Sequence, residues 1–202
     1  MARSIARDHD EKRAAILRGA ARVFARDGFD RASMTQLAKE CGISKANVYH
    51  YYTSKDAILY DVLDGYLSDL AERVTGLDLT GASPEDALRR VVVEIMLAYE
   101  GADDEHRVQM SGVDLLPPDQ QRVLKGYQRQ IVDHVSGLLG RVAPGLDTDR
   151  TKLRQATMAL FGMLNWYYMW SAGAGREARL EYAELVAEMT LGGVRALVPP
   201  LA

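Results

Sequence analysis

One short segment, residues 44–50, holds most of the side chains whose types and spacing suggest chemistry. On a helix, Lys45 lies one turn before Tyr49, and Ala46 lies one turn before His50, so the two rows are adjacent. These rows suit the major groove of a DNA duplex, because small residues permit close approach while polar tips reach phosphates and base edges. The alternative interpretation of the same rows is a polar, solvated helix face.

A helix-turn-helix unit is predicted to position these side chains. Ser33 and Gln36, three residues apart, form a capping box that marks the start of a short helix. Gly42 can adopt the left-handed backbone that ends such a helix. Ser44 then caps a second helix over about 45–52. Two short helices joined by a glycine-containing turn are typical of the helix-turn-helix unit.

A family resemblance is carried by residues 42–58, which read Gly-Ile-Ser-Lys-Ala-Asn-Val-Tyr-His-Tyr-Tyr-Thr-Ser-Lys-Asp-Ala-Ile. This segment resembles the DNA-binding signature of the tetracycline-repressor (TetR) family of bacterial regulators. Tyr52, Thr53 and Ile58 depart from the residues commonest in that family, but they keep its apolar bulk or turn character. The resemblance implies a DNA-binding regulator whose partner is a double-stranded operator, with no cofactor and no enzymatic activity.

We expect nine side chains to contact DNA. The resemblance places a phosphate contact at Lys55, where an ammonium and the free N–H groups of a helix start can hold one phosphate together. The remaining side chains lie on or beside the two short helices. The expected set is Ser33, Thr35, Ser44, Lys45, Ala46, Asn47, Tyr49, His50 and Lys55.

The predicted fold is all-α, with about nine helices, because apolar residues recur at helix spacing and no segment alternates like a strand. Residues 1–54 are expected to form a DNA-binding head of three helices, and residues 55–202 a helical bundle for ligand binding and dimerisation. Residues 1–9 are expected to be a mobile arm, and Thr148 to cap a helix. The other predicted helix ranges are about 10–26, 55–74, 84–101, a short helix within 102–115, 118–139, 149–171 and 176–197.

Charge is distributed unevenly along the chain. Residues 1–55 hold 11 Lys and Arg against 6 Asp and Glu, whereas the remainder holds 14 against 22. A basic N-terminal part fits one end facing a polyanion, and the acidic remainder argues against a protein coated with nucleic acid throughout. No apolar run approaches the ~20 residues of a membrane span, so we expect no membrane association.

The single cysteine, Cys41, excludes an internal disulfide and fits a reducing cytoplasm. Its position on the inner face of a helix predicts a buried thiol. The four histidines lack partners at diagnostic spacing, and no phosphate loop, dinucleotide fingerprint or paired metal-ligand motif is present. The sequence therefore predicts neither a catalytic residue nor a metal site.

The segment 158–170 is apolar almost all around its predicted helix, which requires burial on all sides. A bundle core together with a dimer interface explains most of it. Methionine and aromatic rings also suit a ligand cavity, and the resemblance implies an effector in this part of the chain. The expected ligand residues are Met96, Tyr99, Arg107, Tyr127, Phe161, Trp166 and Trp170.

Two C-terminal segments, 115–122 and 161–168, resemble those of TetR members that respond to acyl-CoA esters. An acyl or aryl tail needs an apolar tunnel, and the phosphates of CoA need cations such as Arg107 at its mouth. The alternatives are a neutral aromatic effector, as in regulators of multidrug type, and a ligand-free architectural DNA-binding protein. An enzyme on an all-α scaffold is a more distant alternative.

The resemblance implies a homodimeric repressor whose last two helices pair with those of a second subunit. Effector binding would favour a separation of the two heads that no longer matches successive major grooves. Leu164 and Met189 are candidate interface positions, where an introduced arginine should split the dimer.

Overall fold

The computed structural model describes residues 2–171 and 173–197, with the backbone alone for residues 2–6. Across this part of the chain the structure is all-helical, which confirms the predicted fold class. Three short 3-10 turns, at Val113–Leu115, Pro144–Thr148 and Tyr167–Met169, join some of the helices. The α-helices are α1 Ala2–Asp27, α2 Met34–Glu40, α3 Lys45–Tyr51, α4 Lys55–Thr75, α5 Pro84–Ala98, α6 Asp103–Gly112, α7 Pro118–Val142, α8 Arg150–Trp166 and α9 Arg176–Ala196.

Two compact units divide the chain. The head unit comprises the residues up to Ser68 together with residues 103–125, and the bundle unit comprises residues 69–102 and those from 126 onward. The head unit thus takes in α6 and the first part of α4, which lie beyond residue 54. The boundary predicted after residue 54 separates the residues expected to contact DNA from the rest of the chain, and it stays a prediction.

The core of the head unit forms where α1 packs against α2 and α6, and where α2 packs against α3. One apolar stripe of α1 supplies Ile16, Ala20 and Phe24, all buried, as the helical spacing predicts. Leu37 of α2 and Val48 of α3 are fully buried beside this stripe. Each short helix thereby gains tertiary packing, without which helices of seven residues are unstable.

The predicted mobile arm is helical instead, because α1 begins at Ala2 rather than near Asp10. Met1 lies outside the described residues. Two ion pairs at helical spacing support this extension: Arg7 Nε lies 2.9 Å from Glu11 Oε1, and Lys12 Nζ lies 2.6 Å from Asp8 Oδ2. Pairs four residues apart stabilise a helix by a few tenths of a kcal/mol each, roughly, and both were visible in the sequence.

The bundle unit is organised by α5, which packs along α9, and by α8, which also contacts α9. The start of α5 is as predicted, because the Ser83 side chain accepts a hydrogen bond from the Asp86 N–H at 3.1 Å. The start of α8 differs, since its cap is Asp149 and not Thr148. Thr148 instead donates its hydroxyl to the Gly145 carbonyl at 2.9 Å, inside the preceding 3-10 turn.

Cys41 is half-buried rather than fully buried. Its thiol packs against α1, where a Cβ at Gly19 would come within 2.5 Å of Cys41 Sγ. The glycine is therefore required by this close approach of α1 and the end of α2. Burial raises the pKa of the Cys41 thiol, so the group stays protonated near neutral pH.

Candidate nucleic-acid interface and effector region

The helix-turn-helix begins with the predicted capping box. The Gln36 N–H donates to Ser33 Oγ at 3.3 Å, and the Ser33 N–H donates to Gln36 Oε1 at 2.8 Å. Two N–H groups that α2 would otherwise leave open are satisfied in this way. Both partners are exposed, so this end of α2 faces solvent.

The turn between the two short helices depends on Gly42, whose φ of +66° is unfavourable for residues with a Cβ. The Ile43 N–H then donates to the Ala38 carbonyl at 3.0 Å and closes the end of α2. Ser44 accepts a hydrogen bond from the Asn47 N–H at 3.1 Å and starts α3. The direction of α3 is thus set by two caps and one left-handed glycine.

α3 buries one side chain and exposes most of the others. Val48 is fully buried and anchors the helix. The five α3 residues expected at DNA are all exposed: Lys45, Ala46, Asn47, Tyr49 and His50. The Lys45 ammonium lies 5.8 Å from the centre of the Tyr49 ring, so the predicted row of a cation and a phenol is present. Ser33, Thr35 and Ser44 are also exposed, although the hydroxyls of Ser33 and Ser44 already take part in the caps of α2 and α3.

Lys55 has a different environment from the other eight residues. Its ammonium donates to the carbonyls of Phe29 at 2.6 Å, Ala32 at 3.1 Å and Asp30 at 3.4 Å. It also lies 4.2 Å from the centre of the Phe29 ring. Lysine has three donors, so a phosphate oxygen would have to replace one of these bonds, and the 3.4 Å bond is the weakest. Sequence reasoning missed this clamp between α4 and the loop after α1.

Ion pairs hold the other helices of the head unit in place. Glu40, at the end of α2, accepts hydrogen bonds from Arg22 Nε at 2.8 Å and from Arg26 Nη1 at 3.2 Å, both on α1. These two hydrogen bonds hold the pKa of Glu40 below its usual value. Arg13 of α1 forms an ion pair with Asp61 of α4. Ion pairs therefore link α1 to α2 and to α4, the helices that surround α3.

His9 is a further residue that sequence reasoning missed. The helical extension of α1 places its ring 4.7 Å, centre to centre, from the ring of Tyr51 at the end of α3. Such a contact contributes about 1 kcal/mol between well-packed aromatic rings. The pairs of Arg7 with Glu11 and of Asp8 with Lys12 are the sequence signal that predicts this extension.

Of the seven expected ligand residues, four are buried or half-buried in the bundle unit. Met96, Tyr99 and Phe161 are all buried within the bundle unit. Tyr99 donates its hydroxyl to Asn165 Oδ1 at 2.7 Å, which joins α8 to the residue that follows α5. Burial raises the pKa of Tyr99, so this phenol remains a donor. Tyr127 is half-buried in the bundle unit.

Three expected ligand residues are exposed. Arg107 belongs to the head unit, on α6. Trp166 and Trp170 have exposed fractions of 56% and 61%, so they do not lie in an enclosed cavity of one chain. The sequence predicts a bundle core together with a dimer interface for this segment, and within one chain these two rings are not part of the core. α8 ends at Trp166, short of the predicted Ser171.

The backbone after α8 is fixed by an aromatic cluster. The rings of Tyr167 and Tyr182 stack with centres 4.5 Å apart, and the ring of Trp170 meets both edge-on. Arg179, fully buried, donates to the Ala174 carbonyl at 3.1 Å and lies over the Tyr167 ring. The rings pack on one another without room for a ligand between them, so this cluster joins α8 to α9.

An apolar face remains uncovered on α8 and α9. Gly162, Gly192 and Gly193 adjoin it, and a Cβ at any of them would meet no atom within 4 Å. Leu164, one of the two candidate interface positions, is fully buried inside the chain and does not belong to this face. The exposed apolar side chains are Met158, Trp166, Leu185 and Met189.

Within residues 2–171 and 173–197 there is no group of three or more His, Cys, Asp or Glu side chains able to hold a metal ion. None of the helices in this part of the chain combines the length and the apolar character needed to cross a membrane.

Two family models match the sequence and together account for most of it. Residues 16–62 match the bacterial regulatory proteins of the tetR family, and residues 81–194 match the tetracyclin repressor-like C-terminal domain. The first match covers the helix-turn-helix, and the second covers α5 through most of α9.

Individual relatives agree with these matches. The uncharacterized HTH-type transcriptional regulator YuxN of Bacillus subtilis (strain 168) is 34% identical over 90 residues, which are 45% of this chain and 30% of that protein. The match thus spans about a third of that relative's length. A TetR-family transcriptional regulator from Bordetella parapertussis 12822 has a similar structure, with a TM-score of 0.83 and 32% identity over 89% of this chain and 93% of that one.

A second similar structure is that of AibR in complex with isovaleryl coenzyme A and operator DNA. Its TM-score is 0.70 at 22% identity, and the match covers 94% of this chain and 100% of AibR. At this identity the comparison establishes a shared fold.

Proposed function

The chain belongs to the TetR family of DNA-binding transcriptional regulators, and from that premise we propose that it is a homodimeric repressor released from a palindromic operator by a small molecule. The observation that carries this proposal is the exposed face of α3. Its side chains are polar or small. Capping hydrogen bonds fix the start of α3, and ion pairs link α1 to α2 beside it. Its place of action would be the cytoplasm, where the operator lies.

The proposed DNA interface has two parts. Lys45, Asn47 and His50 lie nearest the bases in the major groove, because they project from the exposed face of α3. Ser33, Thr35, Ser44, Tyr49 and Lys55 contact phosphates, and Ala46 permits the close approach. Lys55 would do so by exchanging its 3.4 Å bond to Asp30 for a phosphate oxygen.

An amide substitution tests the base-reading role. Asn47→Ala should reduce the preference for the operator over a scrambled duplex about tenfold or more, since a good amide–base contact contributes roughly 1–3 kcal/mol of discrimination. The matched control is Gln130→Ala, which removes an exposed amide from α7. Equal binding of operator and scrambled duplex by the wild-type protein would refute sequence-specific recognition itself.

The proposed dimer forms through the uncovered face of α8 and α9. Apolar side chains there are more than 40% exposed in one chain, and a second copy would remove them from water. Glycines at Gly162 and Gly192 weaken a helix by about 1 kcal/mol each, and close approach of another helix explains their presence. Two heads related by a twofold axis then require a palindromic site.

The proposed effector is an acyl-CoA or aryl-CoA thioester. Met96, Tyr99, Tyr127 and Phe161 supply buried or half-buried apolar surface in the bundle unit for the acyl part. Trp166 and Trp170 would contribute their exposed rings. The bound isovaleryl coenzyme A of AibR supports this class of effector through the shared fold.

A titration distinguishes the candidate effectors. A series of fatty and aromatic acids and their CoA thioesters is added to the protein–operator complex, and the released fraction is measured by fluorescence anisotropy. Only thioesters should release the operator, because only they carry the phosphates that need cations. Release by free acids as readily as by thioesters would contradict the acyl-CoA proposal. Release by uncharged aromatic compounds alone would support an effector of multidrug type.

A further inference from the structure

Two exposed ridges run along α8 and α9, the helices of the proposed dimer face. A ridge is a row formed by every fourth residue of a helix. On both helices the ridge begins with two charged side chains and continues with apolar side chains and glycine. The α8 ridge consists of Arg150, Arg154, Met158, Gly162 and Trp166, and the α9 ridge consists of Glu177, Glu181, Leu185, Met189 and Gly193, all exposed.

The charges at the start of the α8 ridge are positive. Arg150 and Arg154, the arginine pair, have no ion-pair partner among the described residues, and α8 itself contains no acidic residue. The acid just before α8, Asp149, accepts the Lys152 N–H as the helix cap. The arginine pair and Met158 line one shallow surface pocket, so the charged and apolar parts of the ridge share one surface.

The start of the α9 ridge carries the opposite charge. Glu177 and Glu181, the glutamate pair, lie one turn apart, and neither has an ion-pair partner in the described part of the chain. The other acids of α9 differ, because Glu184 and Glu188 both pair with Arg89 of α5. One helix thus offers two unpaired cations, and the other offers two unpaired carboxylates.

The two pairs of charges lie at opposite ends of the face within one chain. The Tyr182 hydroxyl donates to the Met163 carbonyl at 3.0 Å, so the end of α8 lies beside the start of α9. Arg154 lies more than two turns before Met163, about 14 Å along the helix axis. Because a short connection joins α8 to α9, they are antiparallel neighbours. The arginine pair is therefore out of reach of the glutamate pair of its own chain.

A second copy of the chain can bring the opposite charges together. A twofold axis perpendicular to these helices reverses their direction in the partner, so α8 of one subunit runs parallel to α9 of the other. The starts of the two helices then lie side by side, with the arginine pair facing the glutamate pair. An axis parallel to the helices would instead place the arginine pair at the end of the partner's α9, away from its glutamates.

The same alignment matches large side chains with small ones further along the ridges. Three turns after the first charge of each helix, Gly162 of α8 meets Met189 of the partner subunit. One turn later, Trp166 meets Gly193 of the partner subunit. A Cβ at either glycine meets no atom of its own chain within 4 Å, so the space above each is open to a partner's side chain. Shape complementarity of this kind is typical of oligomer interfaces.

We propose that the α8 ridge of one subunit pairs with the α9 ridge of a second copy, with the arginine pair bound to the partner's glutamate pair. The twofold axis repeats this contact, so the dimer contains it twice. The inference rests on the homodimer of the proposed function and adds how its helices align and which charges select the partner. Charges beside an apolar interface fix its orientation and disfavour wrong partners.

Charge reversal tests this alignment, with dimer dissociation measured by analytical ultracentrifugation. One variant carries Arg150→Glu and Arg154→Glu, and another carries Glu177→Arg and Glu181→Arg. Each should dimerise at least about tenfold more weakly than wild type, because like charges then face each other. The variant with all four changes should dimerise within about threefold of wild type, because its facing charges are again opposite.

Mixing the two singly reversed proteins gives the most specific readout. In their heterodimer both contacts regain opposite charges, whereas each homodimer keeps two repulsive contacts. Native mass spectrometry resolves the three dimers, since the variants differ in mass. The heterodimer should make up about nine-tenths of all dimers if each homodimer is about tenfold weaker, against about half without a charge preference. A loss of dimer through misfolding would not be reversed by mixing.

The matched control reverses two exposed arginines of α7, Arg122→Glu with Arg129→Glu, and should leave dimerisation within about twofold of wild type. The proposal is overturned if both singly reversed proteins dimerise like wild type, or if their mixture gives heterodimer for only half of the dimers. A monomeric wild-type protein would refute the proposed homodimer itself. A dimeric wild-type protein that shows no charge preference would refute the alignment alone.

Discussion

The chain presents two exposed surfaces of opposite character. On α3 in the head unit, the side chains turned to solvent are polar or small, and Tyr49, at 47%, is the most apolar of them. On α8 and α9 in the bundle unit, the exposed set includes Trp166 at 56% and Met189 at 58%. A polar face is stable in water and suits a hydrated anionic partner, whereas large exposed apolar side chains are stabilised when another surface covers them.

The comparison teaches that each surface specifies a different kind of partner. The face of α3 is held from behind by Val48 and by caps, so its geometry does not depend on a partner. The face of α8 and α9 exposes large apolar side chains, Met158, Trp166, Leu185 and Met189, which gain stability when a second surface covers them. The first surface is therefore proposed to meet DNA, and the second to meet another copy of the chain.

The largest expected effect comes from placing a charge on the apolar face. Met189→Arg should convert the dimer to monomers, since an unpaired charge would be buried in the interface. Operator affinity should fall about a hundredfold or more, because two linked heads bind far better than one. Analytical ultracentrifugation and operator titration measure the two effects.

The control for Met189→Arg is Gln130→Arg, which adds the same charge to an exposed site on α7. A Met189→Arg protein that still sediments as a dimer would remove this residue from the interface. Leu164→Arg, in contrast, should unfold the chain, because Leu164 is fully buried within one subunit.

A second test concerns Lys55, whose ammonium binds carbonyls of the loop after α1 and is also proposed to contact DNA. Lys55→Ala should lower the melting temperature of the protein, because three hydrogen bonds to loop carbonyls are lost. It should also reduce the salt dependence of operator binding by roughly one unit if the ammonium neutralises a phosphate. A lower melting temperature with an unchanged salt dependence would assign Lys55 to the clamp alone.

A third test compares a buried phenol in each unit. Tyr99→Phe should destabilise the protein by about 1 kcal/mol, because it removes the hydrogen bond to Asn165. Tyr52→Phe should cost less or be neutral, because the buried Tyr52 hydroxyl lies beside Asp61 and Arg13 but makes no well-aligned hydrogen bond in the described part of the chain. Urea denaturation measures both, and an equal loss in the two variants would contradict this difference.

The smallest expected effects come from replacing an exposed glycine by alanine, once on α4 and once on α8. Gly65→Ala, exposed in the middle of α4 with no atom within 4 Å of its added Cβ, should stabilise the protein by about 0.5–1 kcal/mol. Gly162→Ala has the same open surroundings within one chain. If α8 meets a second subunit closely, Gly162→Ala should instead weaken the dimer. Equal stabilisation by both substitutions would contradict close packing at Gly162.

Local signals in the sequence predicted much of the head. The capping box of Ser33 and Gln36, the left-handed Gly42 and the cap at Ser44 are each determined by neighbours within three or four residues. The helical extension of α1 was missed although its signal was local, because the polar composition of residues 1–9 outweighed two charge pairs. The cap at Asp149 was missed because Thr148, one residue earlier, is an equally good capping residue.

Features that depend on tertiary packing could not be predicted. The Lys55 clamp joins residues more than 20 positions apart, so no short-range pattern reveals it. The exposure of Trp166 and Trp170 within one chain is set by where α8 ends, whereas apolar composition does not show whether a ring is covered by its own chain or by a second subunit. The division into two units, with α6 in the head unit, likewise follows from packing between distant segments.

The central claim, that exposed residues of α3 read DNA from a twofold dimer, is tested most directly by selection from a random-sequence duplex library with the full-length protein. The account predicts enrichment of an inverted repeat whose half-sites are separated by whole helical turns. It also predicts that the variant with Lys45, Asn47 and His50 all changed to alanine enriches no sequence. Enrichment of a single unrepeated site, or the same inverted repeat from the triple variant, would contradict the account.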